Sequence, residues 1–415
     1  MKINLTDFKT RIFINTSSQL LSRGFIILTS LLTTLLLRRY LGQSGYGLYV
    51  YILNFVMLLV AFTDMGLHLT TVREVAVKEE KEKTLGTAVF VSVLLLFLVL
   101  VFLLLFFQLD LLPTNIKSSL LILVFLFSFL ALKEIFVTVL HSLEKLYLSS
   151  FLSLIFGVIQ LLTIALVILS KKGIWEVFLY NLIGFALVLI INFLLMFRKK
   201  LFVFNFNLKQ AKGLFFKAVP LGGMLVLFTI YSKIDTLLIE HFYSVAEVGV
   251  YGLCYKIYDN LVLPAAFLMN AFLPEFSKLV NKDRIALLKI SKVSAFILLA
   301  TSIVLFVIVY LLSPFIFKIL TGESGGPEVL ILRVLAISLF FAYLNHLTGY
   351  LIIALGKQIV SLKISILALL FNFVFNWFFL PVYGIVASAA ITALTEFLVL
   401  FFSFLAIRKS FIKVD

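Results

Sequence analysis

Charged residues and cysteine are scarce in this chain of 415 residues, and each scarcity excludes a class of protein. Only 13% of the residues are charged and 63% are hydrophobic, whereas a soluble domain carries about 25% charged residues. The single cysteine, Cys254, excludes an internal disulfide and a four-cysteine zinc site. No G-x-x-x-x-G-K-[ST] motif occurs, so ATP is not the direct energy source unless a partner protein supplies it.

Long apolar runs such as "FVSVLLLFLVLVFLLLFF" fill most of the chain. A helix needs about 20 apolar residues to cross a bilayer, whereas a transmembrane β-strand alternates over about ten. The runs therefore predict an all-α, polytopic membrane protein with about twelve transmembrane helices. Their predicted limits are 13–37, 46–69, 85–107, 117–140, 148–169, 175–197, 215–240, 249–272, 290–312, 328–354, 360–380 and 384–407.

Most of the basic residues behind the formal charge of +15 lie in short loops on one side of these spans. Basic loops mark the cytoplasmic side, so we predict that both termini are cytoplasmic and that no nucleic acid binds. The opening "MKINLTDFKTRIFINTSSQ" lacks a short apolar segment with a cleavage site, which favours a retained cytoplasmic flank over a cleavable signal.

The longest polar loop, "FRKKLFVFNFNLKQAKG", divides the chain into two halves of six spans. We predict an N-terminal six-helix lobe at 1–197, a cytoplasmic linker at 198–213 and a C-terminal six-helix lobe at 214–415. Three matches between the halves indicate a parallel internal repeat. Short matches also arise by chance in so biased a composition. The matches are Gly47-Leu48-Tyr49 with Gly249-Val250-Tyr251, Gly173-Ile174 with Gly384-Ile385, and Lys145 with Lys357. Paired six-helix lobes are typical of transporters that bind substrate between the lobes and rock.

Ionisable residues inside spans are functional hypotheses, because charge in hydrocarbon is costly. The predicted spans hold five cations: Arg23, Lys133, Lys233, Lys256 and Arg333. A water-filled central cavity lined by several of them would attract an anion, and phosphate or pyrophosphate suits these donors. The alternatives are structural, namely pairing of Arg23 to another helix and snorkelling of Lys133 beside Glu134.

Three acids, Asp235, Asp259 and Glu396, are candidates for ion coupling. Lys233 and Asp235 lie about 200° apart around a helix and cannot pair with each other. Asp259 is three residues after Lys256, so a local ion pair is an equal alternative. Glu396 is a candidate for proton coupling, with an interhelical hydrogen bond as the equal alternative. The four histidines show no metal-ligand spacing and are predicted near span ends, and no catalytic triad or carboxylate pair supports an enzyme.

Several stretches together resemble a known family: "LLRRYLGQSGYGLYVYI", "DMGLHLTTVREVA", "PLGGMLVLFTIYSKIDTLLI", "EVGVYGLCYKIY", "FLPEFSKL" and "YGIVASAAITALTEF". They resemble the Wzx-type O-antigen and polysaccharide lipid flippases of the multidrug/oligosaccharidyl-lipid/polysaccharide exporter superfamily. The resemblance implies a bacterial inner-membrane protein that moves undecaprenyl-diphosphate-linked oligosaccharides to the outer leaflet. Arg23 matches a basic residue in span one of such proteins, and Lys233 and Asp235 match a Y-x-[KR]-x-D pattern in span seven.

The resemblance implies no cofactor, and leaves the driving force open among protons, sodium ions and the membrane potential. The expected partners are the lipid-linked glycan and membrane lipids, with a polysaccharide polymerase or ligase complex as a further partner in O-antigen and lipopolysaccharide assembly. A cation-coupled drug or metabolite antiporter of the same superfamily is the alternative, which the excess of in-span cations disfavours. A membrane polymerase or ligase is disfavoured by the short outer loops.

Overall fold

The computed structural model describes residues 5–77, 80–109, 117, 119–143, 145–198, 207–280, 282–322 and 324–412, and within these ranges it contains helices and no strand. The helices are α1 (Leu5–Asp64), α2 (Leu67–Val77), α3 (Lys81–Gln108), α4 (Leu120–Ser142), α5 (Leu146–Leu169), α6 (Ile174–Arg198), α7 (Leu208–Phe242), α8 (Val245–Leu279), α9 (Arg284–Thr321), α10 (Pro327–Ala354), α11 (Gln358–Tyr383) and α12 (Ile385–Ile412). Ten helical stretches of the described chain are long and apolar enough to cross a membrane. The prediction of an all-α, polytopic membrane protein is confirmed.

Helix α1 contains the first predicted span and most of the second in one helical stretch, which bends at Gly42. The Gly42 backbone has φ 69° and ψ −170°, a conformation that glycine adopts without the steric cost of a Cβ. A second break follows at Met65 and Gly66, where φ is 39° and 75°, and it separates α1 from α2. The bend at Gly42 thus provides the turn that the sequence predicts between spans one and two.

The chain forms two compact units whose limits differ from the predicted lobes. The N-terminal unit comprises Met1–Leu41 and Phe55–Val226, and the C-terminal unit comprises Gly42–Asn54 and Leu227–Asp415. Helices α1 and α7 are therefore each divided between the two units. The boundary between the units lies within α7, between Val226 and Leu227, and not at the predicted 198–213 linker. The segment 42–54 belongs with the later half of the chain.

The segment 42–54 joins the C-terminal unit because two glycines let α1 pack directly against α8. A Cβ on Gly47 would overlap the Val245 carbonyl oxygen and would lie 2.8 Å from the Gly249 nitrogen. The Asn54 amide also donates a hydrogen bond to the Thr236 hydroxyl on α7 at 2.9 Å. Only glycine permits such close contact between backbones, so the contact of Gly47 with Gly249 holds the segment 42–54 against α8.

The first half of α7 joins the N-terminal unit through a second glycine contact. A Cβ on Gly66 would lie 2.6 Å from the Gly222 nitrogen. An apolar cluster beside it combines residues of α2, α3 and α7, namely Leu67, Ala88, Val91, Ala211, Leu214 and Ala218. Burial of this surface holds 208–226 with the preceding helices, so the polar linker is not the structural boundary.

The internal repeat is visible in the turns before α5 and α11. The backbone of Lys145 has φ −95° and ψ 48°, and that of Lys357 has φ −102° and ψ 40°. Each lysine N–H donates to the carbonyl five residues earlier, at 2.9 Å and 3.0 Å respectively. Each lysine carbonyl accepts from the N–H three residues later, at 3.0 Å and 2.9 Å. The matched turns support the duplication that the sequence indicates.

Candidate functional site

Helix α7 runs through its charged residues without interruption and presents them on opposite faces. Asp235 is buried, with 2% of its surface exposed, while Lys233 is half-buried. Each side chain has different partners within the C-terminal unit, as the predicted angle between them requires.

Asp235 accepts three hydrogen bonds from other helices of the C-terminal unit. The Tyr251 hydroxyl on α8 donates to Oδ2 at 2.6 Å, and the Thr392 hydroxyl on α12 donates to the same oxygen at 3.0 Å. The Asn376 amide on α11 donates to Oδ1 at 3.1 Å. Donors on both oxygens offset the cost of burying the carboxylate, so three helices position this one group.

A second layer of buried polar residues holds Asn376 in place. Its amide also donates to the Asn372 carbonyl at 2.9 Å, and its Oδ1 accepts a hydrogen bond from the Ser388 hydroxyl at 2.6 Å. Asn376 and Ser388 are fully buried. The residues of this network, called the Asp235 cluster below, are Asp235, Tyr251, Asn372, Asn376, Ser388 and Thr392. It places carboxylate, amide and hydroxyl oxygens together in the interior of the unit.

The ammonium group of Lys233 interacts with two residues of α8. It forms an ion pair with Asp259 Oδ2 at 3.1 Å and lies 5.1 Å from the centre of the Tyr255 ring. The side chains of Lys233 and Asp259 are 19% and 42% exposed. Asp259 is therefore the more accessible partner of the ion pair.

Lys256 does not form the local ion pair that its spacing from Asp259 allows. Asp259 pairs with Lys233 of the neighbouring helix instead. Lys256 is half-buried and still lies close enough to both Lys233 and Asp259 to interact with them electrostatically. The structure therefore brings together three of the predicted charges.

Glu396 on α12 has interhelical hydrogen bonds, the second of the two predicted alternatives. The Asn345 amide on α10 donates to its carboxylate at 2.7 Å, and the Tyr231 hydroxyl on α7 lies 3.4 Å away. The Asn345 Oδ1 atom is buried and has no hydrogen-bond partner. The Glu396 carboxylate thus connects three helices through polar contacts, and the neighbouring Asn345 Oδ1 atom is an acceptor without a hydrogen bond.

Arg333 on α10 is directed at α9 rather than at the other cations. Its Nε lies 3.1 Å from both the Tyr310 carbonyl and the Ser313 hydroxyl, and its guanidinium lies over the Tyr310 ring at 4.5 Å. These contacts account for Arg333 as a link between two helices.

Two predicted cations, Lys133 and Arg23, belong to the N-terminal unit. Lys133 pairs with the adjacent Glu134 at 3.2 Å and lies 5.0 Å from the centre of the Phe156 ring. Arg23 is half-buried on α1 and interacts electrostatically with His141.

The uncharged members of the Asp235 cluster are not among the site residues predicted from the sequence. A usable signal was present, because polar residues recur four positions apart in otherwise apolar helices. Asn372 and Asn376 lie on one face of α11, and Ser388, Thr392 and Glu396 lie on one face of α12. Such stripes within a membrane span indicate polar interhelical contacts.

Comparison with known proteins identifies the family. The sequence signature described as "Polysaccharide biosynthesis protein" matches residues 11–280, which is more than half of the chain. The chain belongs to the polysaccharide biosynthesis protein family. The signature of the MatE family also matches residues 220–378. The predicted resemblance is confirmed at the level of this family.

Curated relatives in this family are distant. The capsular polysaccharide biosynthesis protein CapF of Staphylococcus aureus is 24% identical over 198 residues, covering 48% of this chain and 50% of that protein. An uncharacterized membrane protein of Methanocaldococcus jannaschii is 29% identical over 212 residues, covering 50% of this chain and 48% of that protein. The alignments thus span about half of each relative.

Solved structures share the fold over nearly the whole chain. The lipid II flippase MurJ in an inward-closed conformation has a TM-score of 0.76 at 17% identity, covering 95% of this chain and 87% of that one. An inward-facing multidrug resistance MATE transporter has a TM-score of 0.76 at 11% identity, with 93% and 94% covered. The Vibrio cholerae MATE transporter VcmN has a TM-score of 0.70 at 17% identity, with 99% and 98% covered. At these identities the likeness establishes the fold.

Proposed function

We propose that this family member is a flippase that moves undecaprenyl-diphosphate-linked oligosaccharide repeat units across the bacterial inner membrane by alternating access. It would serve assembly of O-antigen or another surface polysaccharide, as a transporter rather than an enzyme, with both termini cytoplasmic. The family assignment and the shared fold support a transporter. The observation that carries the substrate class is Lys233, a half-buried cation whose accessible partner, Asp259, an anion can displace.

The proposed binding step exchanges one anion for another. With no substrate bound, the Asp259 carboxylate offsets the charge of Lys233 at 3.1 Å. A diphosphate offers more negative charge and more acceptor oxygens, so it replaces Asp259 beside the ammonium group. Lys256 adds favourable charge beside Lys233, while the prenyl chain stays in lipid. Arg23 remains a separate candidate cation of the N-terminal unit. Lys133 and Arg333 are weaker candidates because Lys133 pairs with the adjacent Glu134, and Arg333 donates hydrogen bonds to α9 and not to the group around Lys233.

We propose that the Asp235 cluster binds the coupling ion. A carboxylate surrounded by amide and hydroxyl oxygens can accept a proton, or a sodium ion once the donors rotate away. Glu396 is the second proton candidate because the Asn345 amide, which donates to its carboxylate, has an unsatisfied oxygen that can accept a hydrogen bond from protonated Glu396 once the amide turns over. Glycan, membrane lipids and a polymerase or ligase complex remain the proposed partners.

Genetic complementation in the source strain lacking this gene tests the substrate assignment. Lys233→Gln removes the charge, and Lys363→Gln removes an exposed lysine of α11 in the same unit as a control. At matched protein levels we expect wild type and Lys363→Gln to restore surface polysaccharide, and Lys233→Gln to leave unflipped lipid-linked repeat units. Full restoration by Lys233→Gln would overturn the role of Lys233.

The second candidate function is a cation-coupled drug or metabolite antiporter. The MatE signature over 220–378 favours it, since this range contains Asp235 and Asp259. Whole-cell efflux of cationic drugs separates the two functions. Drug resistance that depends on Asp259, together with normal surface polysaccharide in the deletion strain, would favour the antiporter.

A further inference from the structure

Arg333 on α10 uses only part of its guanidinium group in contacts with the protein. Its Nε–H is shared between the Tyr310 carbonyl and the Ser313 hydroxyl of α9, each at 3.1 Å. A guanidinium has five N–H groups, and the other four belong to its two terminal amino groups. Within the described part of the chain these amino groups form no hydrogen bond, and no carboxylate pairs with Arg333. The positive charge and four donors are therefore open to a further partner.

Pro314 explains why the side chain of Arg333 turns toward α9. A proline within a helix has no N–H for the carbonyl four residues earlier, which here is that of Tyr310. Arg333 supplies the missing donor. The Tyr310 ring also lies against the guanidinium, with its centre 4.5 Å from the guanidinium carbon. The hydrogen bond and the ring together hold the terminal amino groups in place before a ligand arrives.

The exposed side chains around Arg333 indicate that it lies at a lipid-facing surface. Along α10, all of which the structure describes, the exposed side chains are Pro327, Leu330 and Ile337. Leu330 and Ile337 lie three and four residues from Arg333, which places all three on one face of the helix. Tyr310 is exposed too, on a helix whose apolar stretch is mostly exposed. Exposed apolar side chains on two neighbouring membrane helices contact acyl chains.

The level of this group along α9 corresponds to the edge of the hydrocarbon core. Lys292 is the last charged residue at the predicted cytoplasmic end of α9, and no charged residue follows it before Lys318. Tyr310 and Ser313 lie 18 and 21 residues after Lys292, which is about 27 and 32 Å along a helix. The hydrocarbon core is about 30 Å thick. With Lys292 at one interface, the guanidinium of Arg333 lies at the other, next to the phosphates of the phospholipids.

We propose that Arg333 binds the phosphate of an anionic phospholipid in the leaflet at the C-terminal end of α9, which is the outer leaflet in the predicted topology. The guanidinium fork matches two phosphate oxygens, and the phosphate neutralises a cation that no described carboxylate pairs with. Lys318, exposed about two turns beyond Tyr310 on α9, repels a cationic head group and so disfavours a zwitterionic lipid. A lipid of the phosphatidylglycerol type therefore fits best. The site is independent of the proposed transport function.

Quenching by brominated lipids measures which lipid occupies the site. The Leu330→Trp variant places an indole beside Arg333, and a parent protein with Trp175→Phe and Trp377→Phe removes the signal of the two native tryptophans. In nanodiscs we expect brominated phosphatidylglycerol to quench this variant more strongly than brominated phosphatidylcholine, with about fivefold local enrichment. The control is Val382→Trp in the same parent, because Val382 is exposed near the outer end of α11. It should show no preference between the two lipids.

Two further variants assign the preference to Arg333. In the Leu330→Trp protein, Arg333→Gln should abolish the preference, while Lys363→Gln, which removes an exposed lysine of α11, should keep it. Equal quenching by the two lipids with Arg333 intact would overturn the site, whether or not Arg333→Gln folds. A preference that survives Arg333→Gln, or that is as large in Val382→Trp, would also overturn it.

Excess inorganic phosphate distinguishes a lipid site from a site for soluble anions. A bound phospholipid is held by its acyl chains as well as by its phosphate, so phosphate in the buffer should leave the quenching of the Leu330→Trp variant unchanged. Loss of the preference for phosphatidylglycerol on addition of phosphate, at constant ionic strength, would show that Arg333 binds soluble anions instead. Either result leaves the proposed role of Lys233 untouched.

Discussion

Gly47 on α1 and Gly249 on α8 lie backbone to backbone, and a Cβ on Gly249 would lie 3.1 Å from the Gly47 nitrogen. The sequence predicts that these two residues are equivalent positions of an internal repeat. The structure shows that the equivalent positions contact each other. Their contact joins α1 to α8, and it explains why residues 42–54 belong to the C-terminal unit.

Replacement of Gly249 by alanine should destabilise the C-terminal unit. The new methyl group would overlap the Gln43 carbonyl oxygen, and because that group is backbone the helices must separate. We expect a loss of about 1–3 kcal/mol, measured as a lower unfolding temperature in detergent. Gly349→Ala is the control, because its Cβ would meet nothing within 4 Å. Equal unfolding temperatures for the two variants would contradict the close crossing.

Replacement of Asp235 by asparagine should remove ion dependence from transport. The amide cannot take up a proton at physiological pH and binds a cation more weakly than a carboxylate does. We expect transport to fall by about tenfold or more and its response to a sodium or proton gradient to disappear. Transport into proteoliposomes with imposed gradients measures both effects.

Glu275→Gln provides the control for Asp235→Asn, because Glu275 is exposed and pairs only with the nearby Lys278 among the described contacts. It should leave transport and ion dependence unchanged. If Asp235→Asn keeps a normal response to both gradients, the Asp235 cluster is a structural network and not the coupling site.

Replacement of Asn376 by alanine should destabilise the protein more than the loss of a few side-chain atoms suggests. It removes a donor from Asp235 and the acceptor of the Ser388 hydroxyl, and both groups are buried. Unsatisfied buried polar groups cost about 1–3 kcal/mol each, so we expect a large drop in unfolding temperature. The double variant Asn376→Ala, Ser388→Ala should recover part of this loss. No recovery would show that the two residues are not coupled.

A double-mutant cycle can separate the structural role of Lys233 from its role with substrate. Exchange of the charges, Lys233→Asp with Asp259→Lys, should restore the stability that either change alone removes, with a coupling of about 1 kcal/mol. Both side chains are partly exposed, so the value lies well below that of a buried pair. Transport should stay low in the exchanged variant if the position of the cation matters. Full transport there would show that any ion pair suffices.

Composition and run length were enough to predict the helical membrane fold, and glycine matches were enough to predict the repeat. The division into units was not predictable from the polar linker, because glycine contacts at Gly47 and Gly66 decide which helices pack together. The angle between Lys233 and Asp235 follows from helix geometry. Their partners on α8, α11 and α12 do not, since pairing between helices depends on tertiary packing that no local spacing reveals.

Reconstituted flipping of a lipid-linked oligosaccharide tests the central claim most directly. Purified protein in liposomes would be given a fluorescent undecaprenyl-diphosphate oligosaccharide, and its exposure on the opposite leaflet would be followed with a membrane-impermeant quencher. We predict that liposomes with the wild-type protein or the Lys363→Gln variant flip the lipid, and that liposomes with the Lys233→Gln variant do not. Equal rates in protein-free liposomes, or undiminished flipping by Lys233→Gln, would contradict the account.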